Sequence, residues 1–488
     1  MNFGSSRSAV DFRDGGEQSD LMGSSPAGDL PVFDIDAELE KVYDNCLLNG
    51  PGVERADSWF GRWQKAVRLA PRRYDLPGGA VGRRFVDLLM REVGLVADLK
   101  EQSERLIVFQ AVVLQKEPLT KKSADVRQLL TRRMDLWEGD EFEILMSEAI
   151  RGNKSFQRSR WRGDAAWQKR EHEHSVNVFH RLMIQGKLRA AVRWLTERDS
   201  AGLLSPSEMT KVKTSSGEEI DVSVLDALHL KHPDPGASNK EACTPYPEVT
   251  AIATLDINGA HIQLVARRLH GAAGPSGSDA GAWQDWLLRY GAHSERLRDA
   301  VAHLTRVVAN TTPPWEFIRG LMASRLIAID KCPGIRPIGV GESLRCIMGK
   351  SVMLLAGEDV QEVCGSDQLS AGLEAGIEAA VHAVNSLFEE HQGSGWGVLL
   401  VDAANAFNAL NRKVALWHAR HLWPRGCRYL FNTYKGWAAL VMSGYDSNVL
   451  YSKEGTTQGD PLSMAFYAVG VLPLILKLRD FERWVQVW

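Results

Sequence analysis

Two stretches hold residue types able to do chemistry. After Gly397 the residues Val398, Leu399, Leu400 and Val401 form an apolar run that ends at the carboxylate of Asp402, and Ala403 to Phe407 open a helical period. The run reads as a buried strand stopping at an acid. Such an acid can cap the following helix by accepting hydrogen bonds from its first free N–H groups, or it can be held there to act on a substrate. The second stretch, Gly455-Thr456-Thr457-Gln458-Gly459-Asp460-Pro461-Leu462, is a loop that opens a final long helix carrying Ala465, Phe466 and Val469 on one side.

Cations able to meet phosphate occur in two further places. Arg325–Lys331 and Arg336–Val340 read as two short strands joined by a Pro-Gly turn, Cys332-Pro333-Gly334-Ile335. That hairpin projects Lys331 and Arg336, which are either solvated or able to grip a triphosphate, for which a guanidinium fork is suited. Between Arg151 and Arg170, seven basic residues against Asp164 alone leave a local charge of +6. There Arg158, Arg160 and Arg162 interleave with Phe156, Trp161 and Trp167, a composition suited to tracking phosphates and stacking bases, and also to a solvated linker. Glu171-His172-Glu173-His174 lacks the spacing that puts two imidazoles on one helix face, so these read as surface residues.

The elements that must position these groups follow from periodicity. Residues 1–30 are rich in Ser, Gly and Asp and read as a disordered leader. Residues 31–240 read as mainly helical, with amphipathic stripes at Leu106, Ile107, Phe109, Val112, Val113 and Leu114 and at Val126, Leu129, Leu130, Met134 and Leu136. The Pro- and Gly-bearing stretch from His232 to Tyr246 marks a soft boundary, giving residues 241–264 as linker and 265–488 as a second domain. In that domain Gly271–Gly277 is a small-residue loop, Ala375–Phe388 a helix with Ile377, Ala380, Val381, Val384 and Leu387 inward, and Met442–Tyr451 a hairpin. Phe407, Leu410, Val414 and Trp417 recur at helical spacing behind Asp402.

Composition bounds the rest. With 488 residues, 44% hydrophobic and 24% charged, the chain can bury more than one core. Its net charge of −3 argues against wholesale capture of nucleic acid while leaving room for local basic surfaces. Six cysteines without a C-x-x-C pair read as reduced thiols. No apolar run is long enough to cross a bilayer and no signal sequence opens the chain, so the expectation is an intracellular protein, nuclear or cytoplasmic, with no membrane partner.

From about residue 265 onward the order of these pieces resembles the reverse transcriptase domain of retrotransposons, closest to non-LTR-like elements. Gly274-Pro275-Ser276-Gly277 is similar to the family's PGPDG segment, and the hairpin ending in Arg336-Pro337-Ile338 to its fingers motif. Gln368 with Gly372 and Gly376 resembles its Q-x-G-F-R-x-G stretch, although Leu373 and Glu374 stand near the usual Phe and Arg. Asp402 with Phe407 resembles motif A, and Gly455–Leu462, with Gln458-Gly459, resembles motif B.

The resemblance implies an α+β protein in which a mainly helical N-terminal region precedes a right-hand polymerase fingers and palm. It implies RNA-templated DNA synthesis from dNTPs on a DNA primer, by two Mg²⁺ or Mn²⁺ ions. Asp402 and the Ala403 carbonyl would be metal ligands, Phe407 would exclude a 2′ hydroxyl, Lys331 and Arg336 would neutralise the triphosphate, and Gln458 and Gly459 would line the nucleotide, glycine allowing close backbone approach. The family also needs a Tyr-x-Asp-Asp turn, which occurs nowhere in the sequence; Glu482–Trp488 reads as the strand leading into it. With no such turn and no thumb, the expected palm is incomplete and the fragment inactive, the alternative being a non-catalytic nucleic-acid-binding remnant of a retroelement.

Overall fold

A computed structural model describes residues 57–481 with gaps, among them 118–122, 162–164, 195–202, 214–217, 237–241, 248–250, 372–374, 398–399 and 443–448. The expected leader and the 482–488 segment lie outside the described residues. The fold is mixed α+β, mostly helical, with one small mixed sheet and a separate two-stranded ribbon. Among the described residues no helix is long and apolar enough to cross a membrane.

The helix Ser103–Val113 is the centre of the N-terminal helices. Its sequence suggests an amphipathic stripe, but its residues are buried on every side, Glu104 and Gln110 included. A helix apolar nearly all round has no face to give to water and sits inside others. Here it is packed by Trp59–Ala66, Ala80–Ala97 and Trp315–Met322. Of its buried polar side chains, Glu104 pairs with Arg319, and Gln110 Nε2 donates to the Leu106 carbonyl at 3.3 Å while its Oε1 is left without a hydrogen-bond partner.

The hydrophobic core does not stop at the expected boundary. One contiguous cluster runs from Phe60 through Phe109, Trp137, Trp286 and Val352 to Phe466 and Val469, so residues on both sides of 241–264 share it. Ala80–Ala97 lies against Ala292–Asn310 across that boundary. The described part of the boundary stretch His232–Tyr246 is also tied down. Gly236 N–H donates to Glu454 Oε2 at 2.6 Å, and Lys453 pairs with Asp234 at 2.6 Å. His418 bonds Tyr246 Oη at 2.9 Å through Nδ1 and the Ala242 carbonyl at 3.0 Å through Nε2. Pro and Gly signal where helices stop, and they do not show whether the resulting loop is packed.

The sheet is organised on β4 (Ser324–Asp330). β5 (Ile335–Gly341) covers one edge of β4 along its whole length, antiparallel, with Ile329 opposite Arg336. The other edge is shared: β1 (Leu203–Leu204) pairs antiparallel at Ala328 and Ile329, and β6 (Ala438–Val441) pairs parallel at Ser324 and Arg325. β7 (Leu450–Ser452) adds antiparallel to β6, so the hairpin expected at Met442–Tyr451 is present with its first strand earlier in the chain. β2 (Met209–Lys213) and β3 (Glu219–Ser223) form the ribbon.

Two expected elements differ. The residues Gly397 and Leu400–Ala403 form no strand, and Leu400 and Val401 are 87% and 82% exposed. A strand needs a neighbouring strand to pair with, and among the described residues Gly397 and Leu400–Ala403 pair with none. In the helix Gly376–Glu390 the residues expected inward are not buried: Ile377 and Val381 are exposed, and Gly376 is its one buried residue.

Candidate functional site

The β4–β5 hairpin has the geometry its sequence implies. Lys331 N–H donates to the Gly334 carbonyl at 3.0 Å, closing the turn, and Gly334 takes φ +96°. A positive φ at this point is cheap only without a Cβ. Lys331 and Arg336 are both exposed at the hairpin tip. At the other end of the hairpin, Glu342 is buried and anchors the Gly271–Gly277 loop. Its carboxylate accepts from Ser276 N–H at 2.6 Å and Ser276 Oγ at 2.7 Å, while Arg73 Nε donates to the Ser276 carbonyl at 3.0 Å.

Burial pushes the Glu342 carboxyl up to about 7, only partly opposed by the Ser276 bonds and the Arg73 charge. A carboxyl whose folded pKa exceeds its unfolded value binds its proton more tightly when folded. Its stabilising contribution is therefore complete below the unfolded pKa and is lost as pH rises through about 7. Between pH 4.5 and 7 the wild type is expected to lose up to about 3 kcal/mol relative to Glu342→Gln, as measured by denaturant unfolding at each pH.

The loop 455–460 joins the other pieces. Gly339 N–H of β5 donates to the Gln458 carbonyl at 2.9 Å, and Thr456 N–H donates to the Phe407 carbonyl at 2.6 Å. Both glycines of the loop are forced. Gly455, at φ +61°, lies so close to the Phe407 carbonyl that a Cβ would collide with it. Gly459 has φ +114°, and a Cβ there would sit 2.5 Å from the Gly339 carbonyl oxygen. The close approach is to β5 itself. Gly459→Ala is expected to cost about 3 kcal/mol in thermal or denaturant unfolding and to speed exchange of the Gly339 amide as the Gln458 bond is lost.

Phe407 is half-buried with its ring 5.1 Å from that of Tyr467, so it packs on the last helix. It sits in a short helix, Ala406–Ala409, capped by Asn405 at φ +55°. The single helix suggested by the Phe407 to Trp417 spacing is broken there and restarts at Arg412, where Asn411 Oδ1 accepts from Val414 N–H at 3.0 Å. Asp402 therefore caps nothing. It is exposed, as is Ala403, and it is tied to Phe407 only through the chain.

Among the described residues no group of three His, Cys, Asp or Glu is arranged to hold a metal ion. One exposed carboxylate and a carbonyl do not fit a pair of Mg²⁺ or Mn²⁺ ions, which need several oxygen ligands each. No chemical step can be drawn through such ions here. Arg158, Arg160 and Trp161 belong to the helix Phe142–Trp161, whose side chains there lie outside the described residues, as does Arg162 altogether.

Four residues that hold this region were not visible as site residues in the sequence. Asp460 and Arg345 form a buried ion pair with side chains 2% and 3% exposed. Asp460 Oδ1 also accepts from Leu462 N–H at 2.8 Å, and Arg345 Nη1 donates to the Met322 carbonyl at 2.8 Å. Arg412 is buried and donates to the carbonyls of Gly455 at 2.9 Å, Glu454 at 2.9 Å, Ser452 at 3.3 Å and Tyr434 at 3.3 Å, and to Ser452 Oγ at 2.9 Å. Glu454 completes the frame by accepting from Arg412 N–H at 2.6 Å.

No protein-family model matches the chain, and no curated protein matches it. The frame of Arg345, Asp460, Arg412 and Glu454 thus stands on its own geometry. It fixes the 455–460 loop between β5 on one side and the Phe407 segment on the other.

Proposed function

We propose that this chain is a reverse transcriptase unit, made of the fingers and part of the palm, that engages dNTP and an RNA template with its DNA primer without completing catalysis by itself. The observation that carries the reading is the pair of backbone hydrogen bonds, Gly339 to Gln458 and Thr456 to Phe407. They bring into one assembly the hairpin, the Gln-Gly loop and the Phe407 segment, the three pieces that the motif order groups from positions far apart in sequence. In this assembly the exposed Lys331 and Arg336 would meet the triphosphate, with Gln458 and Gly459 beside the nucleotide. Asp402 is the single acid of the motif set, and no Tyr-x-Asp-Asp turn occurs in the sequence to accompany it.

The test is a pair of assays on the full chain. In fluorescence anisotropy a labelled RNA–DNA hybrid and a labelled dNTP are expected to bind, and Lys331→Ala with Arg336→Ala is expected to weaken dNTP binding at least about tenfold, since two charge-assisted contacts are removed. Primer extension with Mg²⁺ is expected to give no incorporation. Incorporation abolished by Asp402→Ala would instead make the chain a complete polymerase. Hybrid binding without dNTP binding would favour a non-catalytic nucleic-acid-binding protein, and failure to bind either would remove the polymerase reading.

A further inference from the structure

Two helix faces are left uncovered by the described residues, and their spacings match. On the helix Gly376–Glu390, Ile377, Val381, Val384 and Phe388 fall on one stripe. Ile377 is 65% exposed, Val381 and Phe388 are exposed and Val384 is half-buried. On the last helix, Ser463–Phe481, the residues Val471, Leu474 and Leu478 repeat the spacing of Val381, Val384 and Phe388. Leu474 is 61% exposed, Leu478 is exposed and Val471 is half-buried. Two stripes of one period can lie along each other with their side chains interleaved, as paired helices do, and uncovered apolar faces of this kind mark protein contacts.

The charges beside the two stripes are opposite. The helix Gly376–Glu390 carries Glu378, Glu389 and Glu390, all exposed, and no Lys or Arg. The last helix carries exposed Lys477 and Arg479 against Asp480, and the neighbouring helix Arg412–Leu422 adds half-buried Lys413 and Arg420 and no acid. Those two helices are in close contact, since a Cβ on Gly470 would sit 2.8 Å from the Ala415 Cβ. Within the chain, Arg479 pairs with Asp367 at 2.7 Å, Gln368 Nε2 donates to the Ala468 carbonyl at 2.6 Å, and Gly376 is seated against the Leu369 carbonyl. These contacts set the start of the acidic helix beside the basic one, yet both stripes stay exposed.

We propose that the chain forms a two-fold dimer in which the stripe of Gly376–Glu390 of each copy packs on the 471–478 stripe of the other. A two-fold axis makes this contact twice, so the apolar faces of both copies are covered and the assembly closes. Unlike faces meet, which brings glutamates to lysine and arginine; pairing like faces would set glutamate against glutamate. The dimer is independent of the polymerase reading, because it uses neither the β4–β5 hairpin nor the 455–460 loop.

The test is size-exclusion chromatography with light scattering on the full chain over a concentration series, with circular dichroism to show that each variant is folded. The wild type is expected to reach twice the mass of one chain and to stop there. Val381→Asp with Leu474→Asp is expected to remain a single chain at the same concentrations. Glu378→Lys with Glu389→Lys, and separately Lys477→Glu with Arg479→Glu, are each expected to weaken self-association at least about tenfold. An equal mixture of these two variants is expected to form the dimer again, since each basic face then meets an acidic one. A wild type of single-chain mass at every concentration would overturn the proposal, as would a mass that keeps growing beyond two chains. Failure of the mixture to associate would overturn the pairing of unlike faces.

Discussion

Asp460→Ala is expected to destabilise the protein by about 3–5 kcal/mol, because it leaves the Arg345 guanidinium buried without its countercharge. The two side chains are 3% and 2% exposed, so water cannot take over the lost role without opening the structure. The same change removes the acceptor for Leu462 N–H at the start of the last helix, a further cost comparable to losing a cap. Urea unfolding followed by circular dichroism reads the loss as a fall in midpoint at unchanged slope. The double variant Arg345→Met with Asp460→Leu is expected to recover much of it, since apolar residues of similar volume often match a buried ion pair. A double-mutant cycle showing no coupling between the two positions would contradict this account.

Arg412→Met is expected to have an effect of similar size, about 3–5 kcal/mol, by a different route. The guanidinium is held mostly by backbone carbonyls, those of Tyr434, Ser452, Glu454 and Gly455, drawn from separate segments. Methionine fills much of the volume and donates nothing, so several buried acceptors lose their partner together. Arg412→Lys is expected to recover little, because an ammonium on a single stem cannot reach carbonyls fanned around a planar fork. If lysine restored full stability, charge alone would be the requirement and the fork geometry irrelevant. A local readout follows from position: Arg412 holds Gly455, and Gly455 abuts Phe407. Loss of the fork should therefore loosen the Thr456 to Phe407 bond along with the fold, read as faster hydrogen exchange of the Thr456 amide.

The pieces legible in the sequence are the ones decided by neighbours along the chain. The hairpin Ser324–Gly341 could be read because a Pro-Gly turn between apolar strands is a local signal, and its observed register puts Lys331 and Arg336 at the tip. At 459 the resemblance implied a glycine approaching a nucleotide, whereas the approach the structure shows is to the carbonyl of Gly339. Local pattern misled where an element needed a partner elsewhere. Residues 397–401 have strand composition, yet the described ones pair with no strand, and Leu400 and Val401 face solvent. Ser103–Val113 shows an apolar stripe of the kind that packs a core, and the helices around it bury its other faces as well, which the stripe alone did not show.

By itself, then, the sequence determined an α+β protein with its helices first, the tight hairpin with two exposed cations, and a loop before the last helix. Each of these follows from backbone restrictions and periodicity over a few residues. Only the tertiary structure decided that Arg345, Asp460, Arg412 and Glu454 form the frame around that loop, that the segment after His232 is pinned to it, and that Asp402 stands exposed. Their reason is long-range. A buried charge is tolerated only where partners from distant segments converge on it, and no spacing along the chain records which segments will meet.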